Sequence, residues 1–315
     1  MPTQILKLDY RDKLKASEND PQELRKQIAQ LVNDGQIKLG DIEKATTYKK
    51  STVSQILHDK YEGDQAKPLD AIIRWYRYWV ARHTIVRTSV VEDINAVIEM
   101  VWRAKEIGMI VSPFGKGKSD AAMLYAAEHS DYARFIELSG ASSPVELIEK
   151  IGEALDITEV MTGSISNRLH AIIRSLQRAP KVLIIDEADE LRPKSLKLLR
   201  DIHGDNQERC GVVLIANEKL LRLLQNPDLG YFRSRIAIKR RVEDLPFDEA
   251  KIIMDRFDHS LDNAELKEAW DWSKRHDSIR SLVNLFKMAS RIADMKDIEK
   301  IDGSCLKEAY AWLID

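Results

Sequence analysis

Apolar residues recur along the chain in two registers, and the change from one to the other divides it. From Pro21 the spacing is helical, with Leu24, Ile28, Leu31 and Val32 falling three and four residues apart. Asp34-Gly35 breaks the pattern; Leu39, Ile42 and Ala45 make a short second helix, Thr46 to Lys50 a turn, and Ser51 to Leu57 a third helix. The polar stretch Tyr61 to Pro68 closes this group. Leu69 to Arg82 is again helical and dense in aromatics, with Trp75, Tyr76, Tyr78 and Trp79. Ile85 to Thr88 leads into a helix whose apolar face is Val91, Ile94, Val97, Ile98 and Val101. The register then shifts to short continuous apolar runs: one ending at Val111, then Phe135 to Leu138, Lys181 to Asp186 and Gly211 to Asn217. Such runs suit strands covered on both faces, and with helices over 144–156 and 167–178 between them they predict a parallel sheet with right-handed crossovers. Beyond Pro246 the spacing is helical throughout, over 250–257, 264–275, 279–293 and 306–313.

The pattern therefore predicts an α/β fold in four parts: a small all-α domain over 1–66, an aromatic linker helix over 67–84, a core with a parallel sheet over 85–245, and a helical lid over 246–315. Residues 1–20 alternate charges without an apolar face and predict a loosely held arm.

Composition changes this picture little. No apolar run in the 315 residues reaches bilayer-spanning length, and the N-terminus lacks the basic-then-apolar order of a signal peptide, which predicts a cytoplasmic protein without membrane contact. Cys210 and Cys305 have no metal-ligand spacing and read as buried thiols. The net charge is −2, but residues 1–88 carry 16 Lys/Arg against 12 Asp/Glu, so the N-terminal part is the basic one.

Three stretches carry candidate chemistry. Residues 107–119 read Ile-Gly-Met-Ile-Val-Ser-Pro-Phe-Gly-Lys-Gly-Lys-Ser, a strand, a glycine-bearing loop and a helix start, which is the order of a phosphate-binding P-loop. Gly115 and Gly117 let backbone N–H groups turn inward, Lys118 reaches the β- and γ-phosphates, and Ser119 holds Mg²⁺. The candidate nucleotide-binding set is Ser112, Pro113, Phe114, Gly115, Lys116, Gly117, Lys118, Ser119 and Asp120, with Ser112 standing where the pattern places a glycine. About 65 residues further on, the run ending Ile-Ile-Asp-Glu-Ala-Asp puts Asp186 at a strand's carboxyl end to organise Mg²⁺, and points Glu187 at the attacking water. The strand at 211–217 ends in Asn217, whose amide can hold both that water and a phosphate oxygen.

In the N-terminal part, the helix, tight turn and helix over 39–57 look like a helix-turn-helix, with Lys49, Lys50, Ser51, Thr52, Ser54 and Gln55 offered to phosphates and base edges. A three-helix protein-contact module fits the same pattern. The aromatic stripe at 75–79, beside Arg74, Arg77 and Arg82, suits packing against a neighbouring domain or subunit, or stacking on nucleic acid.

In this order, the P-loop, acidic strand, Asn strand, Ser234-Arg235 segment and helical lid over 85–315 resemble an AAA+ ATPase. With the helix-turn-helix and the segment Val53 to Asp64, nearly the whole chain resembles the AAA+ proteins of phage transposition systems. That resemblance implies ATP and Mg²⁺ as cofactors, binding to double-stranded DNA without sequence preference, a homo-oligomer or filament formed with ATP, and delivery of target DNA to a transposase. It further implies an adenine contact near Ile85 to Val91, an arginine finger at Arg235, or else Arg233, serving the adjacent subunit, and a second phosphate-sensing arginine at Arg280. Phe114 stands where AAA+ loops commonly carry proline. Two other classes share these motifs: a sequence-specific regulator whose ATPase controls its helix-turn-helix, and an ATPase that loads helicases or clamps.

Overall fold

The computed structural model describes residues 20–46, 48–140, 142–157, 163–204, 209–276 and 278–313. The arm predicted over 1–20 lies outside them apart from Asp20. The chain divides into two compact units, one ending at Ile85 and the other beginning at Val86.

The first unit is entirely helical among its described residues: α1 (Pro21–Asn33), α2 (Leu39–Ala45), α3 (Lys50–Leu57) and α4 (Ala66–Thr84). Asp20 caps α1 by accepting the Gln22 N–H at 2.9 Å, with Pro21 at the first position, where a missing N–H costs nothing. Leu24, Ile28 and Leu31 of α1 meet Ile42, Val53, Ile56 and Leu57 of the next two helices. The aromatic helix, predicted as a linker, is instead the fourth member of this core. Its Leu69, Ile72, Ile73, Tyr76 and Val80 pack against the other three helices, which are too short to bury their apolar faces among themselves. The end of α3 is tied down as well. Lys60 N–H bonds Gln55 C=O and Asp59 N–H bonds Ile56 C=O, a Schellman ending with Asp59 in the left-handed conformation (φ 58°). Buried Arg25 reaches Asp59 Oδ1 at 2.5 Å, holding its carboxyl below the usual carboxylate range.

The second unit is built on five parallel strands: β1 (Ile107–Val111), β2 (Ala133–Glu137), β3 (Lys181–Asp186), β4 (Cys210–Ala216) and β5 (Ile236–Arg241). They are ordered β2-β3-β4-β1-β5, so the two strands carrying the P-loop and the Asn are neighbours and the acidic strand is next to them. β1 and β4 are buried along their whole length, as the continuous apolar runs require. Ile107, Met109 and Val111 point to a core shared with α7 (Pro144–Ala154), α8 (Ile165–Arg178) and α9 (Pro193–Gly204). The opposite face carries α5 (Ser89–Ala104) and α6 (Lys118–Glu128). β5 was not predicted as a strand. Ile236 and Ile238 alternate as a strand should, but Lys239, Arg240 and Arg241 gave the segment the look of a basic surface run; it forms an edge, where charged residues are well placed.

α5 lies close to the sheet because glycine stands beneath it. A Cβ at Gly211 would come within 2.8 Å of the Val101 carbonyl oxygen, a backbone atom that cannot rotate away. Gly211→Ala should therefore destabilise this unit by about 1–3 kcal/mol. Thermal denaturation would show it as a fall of roughly 2–4 °C per kcal/mol; an unchanged Tm would mean α5 can lift freely.

After β5 come the helices α12 (Phe247–Met254), α13 (Asn263–Arg275), α14 (Ile279–Met295) and α15 (Gly303–Trp312), preceded by two short ones, α10 (Glu218–Leu223) and α11 (Gly230–Ser234). Capping residues mark several starts: Asp262 and Glu265 form a capping box on α13, and Asp302 caps α15. Among the described residues no helix is long and apolar enough to cross a membrane.

Candidate nucleotide site

β1 delivers the chain to the loop at the carboxyl edge of the sheet. Ser112 is fully buried, keeps a negative φ and donates its N–H to Ala216 C=O at 3.3 Å, so the turn forms without the glycine of the usual pattern. Gly115 and Gly117 do adopt positive φ, 76° and 79°, and Gly117 caps α6. α6 begins at Lys118 directly after the loop, so its helix start, which carries partial positive charge, suits an anion. Lys118 crosses the loop: its Nζ donates to Ser112 O at 2.9 Å, Ser112 Oγ at 3.1 Å and Pro113 O at 2.8 Å. Burial pulls the Lys118 ammonium below its ordinary range, while Asp186, Glu187 and Asp189 act in the opposite sense. Pro113 and Phe114 are exposed on the loop's outer rim.

Three strand ends bring the carboxylates and the amide opposite this loop. Asp186 is 3% exposed and accepts a hydrogen bond from the Ser119 hydroxyl; burial pushes its carboxyl up to about 6. Its Oδ2 is buried with no hydrogen-bond partner, so one oxygen of a buried acid is left unsatisfied at the site. Glu187 follows in the left-handed region (φ 54°, ψ 36°), a costly conformation for a residue with a Cβ, which turns its side chain away from the strand line. Burial raises the Glu187 carboxyl above its usual range, with Asp189 and Glu137 adding to the effect.

Asn217 does not stand free as its sequence position suggested. It is 6% exposed, its Oδ1 caps α10 by accepting the Lys219 N–H at 2.8 Å, and its Nδ2 donates to Asp189 Oδ2 at 2.6 Å. Its carbonyl is thus turned toward the start of α10, and the amide still has a second N–H to offer. Asp189 ends the acidic run, and no local signal in the sequence distinguishes it as the partner of Asn217.

The lid meets the loop directly. Arg280 N–H donates to Gly115 C=O at 3.2 Å, and the Ile279 Cδ1 lies 3.7 Å from where a Cβ on Gly117 would sit. Arg280 is exposed, and its charge is felt by Lys118. Lys116 pairs with Asp244, which also accepts from Ser278 Oγ at 2.8 Å, so one carboxylate ties the loop to the first residue before α14. Ser278 is buried there at φ 53°.

The structure separates Arg233 and Arg235 from this assembly. Ile236 pairs with Ile107, at the end of β1 opposite the loop. Arg235 lies 5.0 Å from the Tyr231 ring and hydrogen-bonds its hydroxyl, while Arg233 is exposed and reaches Leu224 C=O at 3.4 Å. The candidate DNA residues belong to the other unit: Lys49, Lys50, Ser51 and Gln55 are exposed, Thr52 and Ser54 half-buried, and Lys50 Nζ lies 3.8 Å from Glu43.

Comparison with known proteins agrees with this geometry. A family model described as an AAA domain matches residues 102–224. The ATP-dependent target DNA activator B of Escherichia phage D108 is 24% identical over 271 residues, covering 82% of this chain and 85% of that protein. The protein of the same description from Escherichia phage Mu is 23% identical with the same coverage. Among solved structures, ORC1 of Aeropyrum pernix, determined in complex with DNA, shares the fold with a TM-score of 0.57 at 20% identity over 76% of this chain and 69% of its own. With its sheet order, P-loop and acidic strand, the chain carries an AAA domain over residues 102–224 and resembles the phage target DNA activators.

Proposed function

We propose that the chain is an ATP-driven, sequence-nonspecific DNA-binding protein of the bacterial host cytoplasm. It assembles as an oligomer or filament on double-stranded target DNA, presents that DNA to a transposase and stimulates transposition. The observation that carries the nucleotide half is the cluster of Lys118, Asp186 and Glu187 around the N-terminus of α6. Phosphate oxygens would replace the three loop oxygens that Lys118 now holds, a favourable exchange because each neutral acceptor gives way to a charged one. The residues fit Mg²⁺: the partnerless Asp186 Oδ2 and the Ser119 hydroxyl would hold it, with phosphates and water completing an oxygen shell. An ion held there would supply positive charge to offset that of the phosphates. Glu187, its carboxyl raised above its usual range by burial, takes the proton of the attacking water, and Asn217 donates to a γ-phosphate oxygen. Arg280, next to the loop, senses the same phosphate from the lid.

The DNA half rests on the relatives' description and on the exposed basic start of α3, which with α2 has the helix, turn and helix form. Few phosphate contacts per subunit, summed over an assembly, make binding strong, salt-dependent and indifferent to sequence.

Lys118→Ala should abolish ATP binding, and ATP-dependent retention of random-sequence duplex should fall with it. Fluorescent-nucleotide titration and filter binding on random and defined duplexes check both halves. Undiminished nucleotide affinity would remove the P-loop assignment; binding one operator far more tightly than random duplex would replace the nonspecific reading with a regulator.

A further inference from the structure

Asp189 is a buried carboxylate beside the nucleotide site that none of the steps above uses; its side chain is 2% exposed. Both of its oxygens are committed to one residue. Oδ1 accepts the Asn217 backbone N–H at 3.2 Å, and Oδ2 accepts Asn217 Nδ2 at 2.6 Å. The cation nearest to it is Lys219, whose Nζ stands 4.0 Å from Oδ2 on a side chain that is 58% exposed.

These contacts decide which way the Asn217 amide faces. An ionised carboxylate only accepts, so the group turned toward it must be the NH₂; the Lys219 N–H only donates, so the group turned toward it must be the carbonyl. A flipped amide would set oxygen against carboxylate and N–H against N–H, losing both bonds at once. One amide hydrogen then points at Asp189 and the other is left for a ligand. Since the carboxylate is charged, its bonds are of the stronger class and hold Asn217 from two directions. We propose that Asp189 is a positioning residue for phosphoryl transfer, fixing Asn217 as a hydrogen-bond donor toward the γ-phosphate. This deepens the assignment of Asn217 above and rests on it.

An asparagine at 189 has one acceptor where the aspartate has two, so it cannot satisfy both Asn217 N–H groups. In the full-length chain with ATP and random duplex DNA, Asp189→Asn should lower kcat about 10- to 100-fold while ATP affinity stays within about twofold. Asn217→Ala should lower kcat about 100- to 1,000-fold, as loss of one oriented donor does. The double variant should be no slower than Asn217→Ala alone, since Asp189 acts through that residue. An additive double variant, or parental turnover in Asp189→Asn, would overturn the proposal. Parental turnover in Asn217→Ala would overturn the assignment of Asn217 itself, a result read from that variant alone. Should Asp189→Asn fail to bind ATP, Asp189→Ala, which removes the carboxylate without placing any polar group opposite Asn217, is put through the same cycle. The same non-additivity supports the proposal, and loss of ATP binding there too assigns Asp189 to folding and overturns it.

Discussion

An Arg235→Ala protein mixed with a Lys118→Ala protein should regain part of the DNA-stimulated ATP hydrolysis that each has lost alone. Arg235 precedes β5, whose first residue pairs with Ile107 at the start of β1, while the P-loop leaves β1 after Val111. The length of that strand, about 16 Å at roughly 3.3 Å per residue, separates the guanidinium's backbone from its own P-loop, more than an arginine side chain spans. Arg235 nonetheless is held outward, against a Tyr231 ring that is 55% exposed and on which Arg200 also lies, at 5.5 Å. A fixed guanidinium at a surface, too far from its own nucleotide, suits the site of an adjacent copy, where its fork can bond two phosphate oxygens. An arginine supplied in trans contributes about three to five decades of rate in phosphoryl-transfer systems, so each single variant should be nearly inert. In a mixed assembly some interfaces pair an intact P-loop with an intact arginine. Steady-state hydrolysis across mixing ratios checks this; if no ratio exceeds the sum of the two variants while mixed assemblies still form on DNA, Arg235 is not the shared residue and Arg233 becomes the candidate.

The second large effect concerns Glu187→Gln. The residue occupies left-handed backbone at the carboxyl end of β3, and an amide of the same shape should keep that geometry. Nucleotide binding, which rests on Lys118, Ser119 and the loop, should persist. Turnover should fall by about two or more decades, the usual cost of removing a positioned general base. With hydrolysis slowed and ATP retained, complexes with DNA should live longer. Single-turnover hydrolysis beside equilibrium ATP binding separates the two effects, and a variant hydrolysing at the parental rate would refute the assignment of Glu187 as the base.

What the sequence by itself determined is what depends on neighbours along the chain. The P-loop is legible because its glycines, Lys118 and Ser119 act within one turn of backbone, and the acidic strand because burial on both faces demands an uninterrupted apolar run before Asp186. The lid helices follow from three-and-four spacing with capping residues at their starts. What only the tertiary structure decided depends on groups far apart in sequence. The order of the strands, the place of β5 at an edge and the end of the sheet at which Arg235 falls all come from pairing between segments that are not neighbours in the chain. The aromatic helix joined the N-terminal core because three short helices leave an apolar face uncovered, a deficit no single segment reveals. Asp189 took hold of Asn217, and Asp244 of Lys116 and Ser278, because a buried or half-buried polar group must find a partner among whatever the fold brings near it. Local propensity chooses the elements, but the partners of polar side chains are settled only when the elements pack.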